Sequence, residues 1–338
     1  MHIFRQSLLA FISSAATLTT PSCITVTRMQ TEAKPKNEEN FVQQGNQFAK
    51  DGLLREAIDT YKKALQLDPQ NQTAQRNLGI VLAKAGDYPG AIANLEKSMP
   101  DFENNFDSNF YLAEAYRATD KYAEAIYRYK KAIKIQDDEP RAMKSLAWSY
   151  YKIRFYSEAL HLCQRIQKKH PKDEQAPIIM ARTLLKLKRG NEALAVLRKG
   201  GKFASQTVQV NYQSVTAEVL MSQGKTQDAL NLWKDALKVQ PLLAGALLGA
   251  GQALLELGKA NEATDYLERA VRLKPKLYEG HYWLARSLES TNPNRALRLF
   301  NHFRKNSLSD PDYVELVQDA KKRSAALVPK LDLESNAN

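Results

Sequence analysis

From Phe41 to Phe303 apolar residues recur at helical intervals of three and four, and short polar stretches interrupt them every dozen or so positions. The pattern also repeats on a longer scale. Small residues in the middle of each predicted first helix stand at Gly45, Gly79, Ala113, Ala147, Ala181, Ala217, Gly251 and Ala285, spaced by 34 except for one step of 36 after Ala181. A second small column lies at Ala57, Ala91, Ala125, Ala159, Ala193, Ala229, Ala263 and Ala296. Four places later comes a large residue, as at Tyr61, Tyr129, Trp233, Leu267 and Phe300. Each unit therefore predicts two packed helices. A Gly or Ala lets the neighbouring helix approach, and the large residues fill the space beside it.

Punctuation agrees with this reading. Gly52, Gly86, Gly224 and Gly258 fall between the helices of a pair, where a left-handed residue reverses the chain. Pro69, Pro171, Pro241 and Pro275 close units, because proline cannot extend the second helix. Eight pairs span residues 38–310, with five in 38–207 and three in 208–310. The fifth unit ends in Gly200-Gly201 and is two residues longer, which predicts a joint near Gly200–Gln209. The eighth is a residue short at SLESTNPNRAL and has Phe303 where Ala is usual, so looser packing is expected there. Residues 311–328 read as a polar-backed capping helix with the apolar stripe Tyr313, Val314, Leu316, Val317 and Ala320. Its other face is expected to carry Asp319, Lys321, Lys322 and Arg323, and 329–338 to form a disordered tail.

FVQQGNQFAKDGLLREAIDTYKKALQLDP (41–69) and ALLGAGQALLELGKANEATDYLERAVRLKP (246–275) resemble tetratricopeptide repeats. The resemblance implies an all-α, right-handed superhelical solenoid of eight helix-turn-helix repeats plus a capping helix. It also implies that first helices line a concave groove that binds partners. One subclass of the family clamps a carboxylate with two lysines, two asparagines and an arginine. Asn46 and Asn77 match its asparagines, but Val42, Asp107 and Tyr111 stand where the cations belong, so that mode is excluded.

Transferring the inner face onto this chain selects Phe110, Glu114 and Arg117 in the third unit. The fourth supplies Arg141, Lys144, Trp148, Tyr151 and Lys152, and the fifth Arg182 and Lys186. Trp148 and Tyr151 lie off the core stripe, which Leu146 and Tyr150 already fill. Aromatics beside Arg and Lys are the residue types that dominate binding hot spots. The charge distribution has the same centre. The chain of 338 residues has 49 basic and 37 acidic side chains, a net charge of +12, yet 140–207 alone holds fifteen basic against four acidic. A basic groove is expected to receive an acidic, aromatic-containing segment of a protein. Nothing resembles a nucleic-acid module, so nucleic acid is not an expected partner.

Catalytic chemistry finds no support. His2, His161, His170, His281 and His302 show no metal-ligand spacing. Gly224-Lys225-Thr226 imitates the end of a phosphate loop, but Val219 stands where its first glycine is required. Gly249-Ala-Gly251 lacks both the third glycine of a dinucleotide fingerprint and a preceding strand. Cys163 occupies the large-residue core column, as a buried inert thiol would. No enzyme activity, cofactor, metal or small-molecule substrate is expected.

The first residues read as an address. Residues 1–23, MHIFRQSLLAFISSAATLTTPSC, combine Arg5, an apolar run from Leu8 to Leu18, and no acid before Glu32. That layout resembles a secretory signal, and Cys23 stands where a bacterial lipoprotein signal places its lipidated cysteine. Residues 24–37 form a polar tether. The whole reads as an exported scaffold or adaptor, lipid-anchored on the periplasmic side of a bacterial membrane. A cytoplasmic adaptor in a signalling or polarity system, or an enzyme's accessory subunit presenting substrate, are the alternatives.

Overall fold

The structure, a computed structural model, describes residues 36–336, with side chains over 39–328. The expected leader 1–23, its Cys23 and most of the tether 24–37 lie outside the described residues. Every regular element among the described residues is helical. The first two pairs are α1 (Lys36–Lys50) with α2 (Leu54–Leu67) and α3 (Gln72–Ala85) with α4 (Tyr88–Phe102). Next come α5 (Phe106–Ala118) with α6 (Tyr122–Ile135) and α7 (Pro140–Lys152) with α8 (Tyr156–Lys169). They are followed by α9 (Ala176–Lys186) with α10 (Gly190–Gly200) and α11 (Gln206–Ser222) with α12 (Thr226–Val239). The last pairs are α13 (Ala244–Glu256) with α14 (Ala260–Leu273) and α15 (Tyr278–Leu288) with α16 (Pro293–Ser307). A 3₁₀ turn at Pro311–Tyr313 leads into α17 (Val314–Asn336).

Each first helix packs on its own second helix and also on the first helix of the next pair; second helices make no comparable contact with one another. First helices therefore form the tighter, inner layer of a solenoid. The repeating columns are what holds it together. All eight alanines of the second small column, from Ala57 to Ala296, are fully buried. Tyr61, Leu95, Tyr129, Cys163, Leu197, Trp233, Leu267 and Phe300 fill the large column, none more than 3% exposed. The close approach is real: a Cβ on Gly79 would lie 2.6 Å from Leu95 Cγ, and one on Gly251 2.5 Å from Leu267 Cγ.

Helix ends follow local chemistry. Asn71 caps α3 by accepting the Ala74 N–H at 2.8 Å, and Gly86 ends that helix at φ +88°. The same left-handed turn recurs without glycine in the central units, at Asp120, Arg154 and Lys188, with φ of 60°, 68° and 60°. A side chain there costs about 1 kcal/mol relative to glycine.

The two extra residues after Gly200 are absorbed by α11, which at 17 residues is the longest helix of the eight pairs. Gly200 lies beneath the Tyr212 hydroxyl, which donates to the Glu174 carbonyl at 3.0 Å. The buried core divides along α11: Val215 and Val219 belong to the central cluster, Ala217 to the C-terminal one.

Four expectations about the C-terminal end need correction. Phe303 is fully buried between Tyr282 and Tyr313, so the ring that stands where Ala is usual belongs to the core and is no mark of loose packing. Val314 is exposed, because α17 begins at that residue and its packed face runs through Leu316, Val317, Ala320 and Leu327. Asp319 and Arg323 also face inward: Asp319 accepts from the Tyr282 hydroxyl at 2.6 Å, and Arg323 pairs with Glu289 at 3.0 Å. The backbone of α17 continues through Pro329 to Asn336, where a tail was expected from 329. An interior proline removes one backbone donor and crowds the preceding turn, which bends a helix without always ending it.

Candidate inner-face binding site

Residues at equivalent places of successive first helices stack into ladders across the inner face. One ladder runs Glu114, Trp148, Arg182, Glu218, on α5, α7, α9 and α11. Trp148 is half-buried and stacks on Tyr151, with ring centroids 5.2 Å apart and planes 25° from parallel. The Arg182 guanidinium lies 6.0 Å from the Trp148 ring and donates to Glu218 at 3.0 Å. Burial works against the charge of Arg182, but Glu218 overrides it and holds the guanidinium above its ordinary value. Tyr151 leans on Tyr156 at 5.9 Å, and burial raises its phenol above the ordinary range.

The other sequence-predicted residues are placed less uniformly. Phe110 is buried, stacked on Phe106 and edge-on to Tyr129, so it belongs to the core; only its contact with the Arg141 guanidinium, 5.2 Å away, joins it to the groove. Its expected place on the lining is thus corrected: α5 turns that ring toward α6. Arg141 pairs with Glu139 at 2.9 Å and stays exposed. Lys144 donates to Asp173 at 2.7 Å. Burial would raise the Asp173 carboxyl, but that bond and two backbone N–H donors outweigh it and hold the group below its ordinary value. Glu114 accepts from Arg117 at 2.6 Å and from the Tyr129 hydroxyl. Burial would raise the Glu114 carboxyl too, but hydrogen bonds from Arg117, Ser145 and Tyr129 win and lower it. Lys152 is exposed, 5.8 Å from the Tyr122 ring, and Lys186 pairs with Asp312 at 3.0 Å.

The expected basic groove is partly neutralised by the packing. Arg117, Arg141, Lys144, Arg182 and Lys186 each face an acid. Sequence reading missed Asp173, Glu218 and Asp312 because they lie far along the chain from the cations they meet. The repeat period offered a signal for one: Glu218 stands 36 residues after Arg182, the same step that separates Ala181 from Ala217. Farther along, the inner face turns acidic and apolar. Glu218, Met221, Trp233, Leu248, Glu256 and Glu279 border a cavity of about 500 Å³. Burial pushes the Glu279 carboxyl above its ordinary value, although the Trp283 indole N–H donates to it at 3.2 Å.

Elsewhere the chemistry is structural. Asn46 and Asn77 hydrogen-bond to each other at 2.8 Å, and Asn46 also accepts from the Tyr61 hydroxyl. Burial pushes the Cys163 thiol up to about 12. His281 and His302 meet with ring centroids 4.7 Å apart, yet among the described residues no group of three or more His, Cys, Asp or Glu is arranged to hold a metal ion. No described helix is long and apolar enough to cross a membrane.

Stacked helical hairpins whose first helices pack on one another along an inner layer define an α-solenoid. The comparisons make the class specific. A TPR-repeat model matches 45–86, a tetratricopeptide-repeat model matches 215–278 and 250–292, and the model for anaphase-promoting complex, cyclosome, subunit 3 matches 118–200. The chain belongs to the tetratricopeptide-repeat proteins. Among curated relatives, the RNA polymerase-associated protein CTR9 of Saccharomyces cerevisiae is 31% identical over 114 residues, 31% of this chain and 10% of its own length. Cellulose synthase 2 operon protein C of Komagataeibacter xylinus is 38% identical over 64 residues, 19% of this chain and 5% of its own. The APC/C hetero-tetramer Cut9–Hcn1 superposes with a TM-score of 0.60 at 14% identity, covering 83% of this chain and 55% of the other. This likeness is one of fold. The chain spans about half of that structure and a tenth or less of the curated relatives.

Proposed function

We propose that the protein is a non-catalytic scaffold that holds a segment of another protein in the groove of its central repeats. The observation that carries this reading is the Trp148–Tyr151 stack beside the Arg182 guanidinium, on an inner face whose core positions are already filled. A stacked aromatic pair flanked by cations offers apolar area and charge together, the combination found at interaction hot spots. The partner segment is acidic and carries an aromatic residue, and the exposed Arg141 and Lys152 meet its flanks. The scaffold is exported and membrane-tethered through a lipidated Cys23, with residues 24–37 as the tether. The leader's apolar run and the cysteine at its end support that placement.

The groove is tested by calorimetry with Trp148→Ala against the partner captured from the native host. An affinity loss of about 2 kcal/mol with unchanged helicity is expected, and unchanged affinity would overturn the assignment. Tethering is tested by the mass of the mature N-terminus after membrane and soluble fractions are separated. An acylated Cys23, absent from Cys23→Ser, is expected; an intact Met1 in the soluble fraction would overturn export.

A further inference from the structure

The superhelix brings its own C-terminal turn back onto the inner face of the central repeats. Asp312, in the 3₁₀ turn before α17, pairs with Lys186 at 3.0 Å and with Arg154 at 3.1 Å. Lys186 lies 126 residues away in the chain. The neighbouring Tyr313 sits within electrostatic reach of Tyr151 and Glu279, and its ring stands edge-on to Phe303 at 5.8 Å. The segment thus presents an acid and an aromatic side by side to the groove, which is the chemistry that the groove's own cations and rings select.

Three further observations separate this contact from ordinary capping. The capping helix is already fastened by Ala320, Leu327, the Tyr282–Asp319 bond and the Arg323–Glu289 pair, none of which involves Asp312. Arg154 occupies a left-handed turn position, φ +68°, where four other units place glycine, and its guanidinium reaches across to Asp312. Leu308 and Val314, which flank the segment, are 74% and 50% exposed, so its apolar anchorage comes down to the Tyr313 ring against Phe303.

We infer that the central groove is a receptor for an acid–aromatic pair, that the chain's own Asp312-Tyr313 fills it, and that a partner peptide of the same chemistry binds by displacing that segment. The inference rests on the groove reading above and adds the occupant. A tethered segment competes at a high effective concentration, so it sets a threshold that only a well-matched or multivalent partner exceeds. Two partly exposed ion pairs make a weak latch, which suits a segment that must leave.

The test uses the full chain and a fluorescent synthetic peptide of residues 306–317, NSLSDPDYVELV. Anisotropy titration is expected to show binding to the Asp312→Ala protein about tenfold tighter than to the wild type. Adding Lys186→Ala, or changing the peptide by Asp312→Asn and Tyr313→Ala, is expected to abolish it. In the wild type, saturating peptide is expected to speed hydrogen exchange over 308–317. Equal affinity for wild type and Asp312→Ala, with binding that still depends on Trp148, would overturn self-occupancy and leave the groove reading intact. Absence of binding to either protein would overturn acid–aromatic recognition, and the Trp148→Ala calorimetry with the captured partner then judges the groove separately.

Discussion

The inner faces of α7 and α9 and those of α11, α13 and α15 are built on the same repeating core columns yet carry opposite chemistry. Behind both, the small columns are fully buried and the large column is filled, by Tyr129 and Cys163 on one side and by Trp233, Leu267 and Phe300 on the other. In front, the central repeats offer Lys144, Trp148, Tyr151, Arg182 and Lys186, whereas the later ones offer Glu218, Glu256 and Glu279 around Met221 and Leu248. The packing columns have little freedom, because each must let one helix settle on the next. The inner face is free of that demand, so it is where one unit can differ from another.

The comparison breaks first in the core. Tyr129→Ala and Phe300→Ala, one in each half, should each cost about 3–5 kcal/mol in denaturant titrations, since both rings are fully buried. A much smaller loss at Phe300 would mean that the C-terminal repeats pack differently from the central ones. The ladder between the halves comes next. Arg182 and Glu218 are about a third exposed, so a double-mutant cycle with Arg182→Gln and Glu218→Gln should give a coupling of about 0.5–1 kcal/mol. A coupling near zero would remove the link between the two faces.

Acid should act on the C-terminal half through His281. Burial, assisted by the neighbouring His302, holds its imidazole below the ordinary value of 6.5. A group whose folded-state value is lowered contributes stability that is present above its ordinary value and lost as pH falls through the lowered one. Unfolding midpoints should therefore fall as pH drops from about 7 to about 5, and His281→Gln should flatten that dependence. The smallest effect is chemical. Cys163, with its thiol pushed up to about 12, should resist maleimide labelling in the folded chain at neutral pH and react fully in denaturant.

How much of this was legible in the sequence follows the same division. The columns could be read from spacing alone, because a 34-residue period repeats the same steric demand eight times. The turn positions were half legible. Gly52, Gly86, Gly224 and Gly258 announced the left-handed residue, while Asp120, Arg154 and Lys188 adopt it at the same place of the repeat with a side chain that gives no such signal. The inner face was legible in residue type and not in partnership. Trp148 and Tyr151 stood out as aromatics beyond the core stripe, but the burial of Phe110 depends on how α5 turns toward α6. The pairing of Asp312 with Lys186 depends on the curvature of the superhelix, which no local pattern encodes. Phe303 departs from the repeat in sequence, and in the fold its ring is buried between Tyr282 and Tyr313.

The central claim is that the inner face of the central repeats, and not the outer one, holds a partner. Site-specific photocrosslinking in the native host tests it most directly. A photoreactive phenylalanine analogue would replace Tyr151 on the inner face or Tyr127, which is 53% exposed on the outer helix α6. The account predicts a discrete protein adduct from position 151 that disappears when Trp148→Ala is added, and none from position 127. Adducts from position 127 alone, or adducts from 151 that are indifferent to Trp148→Ala, would contradict it.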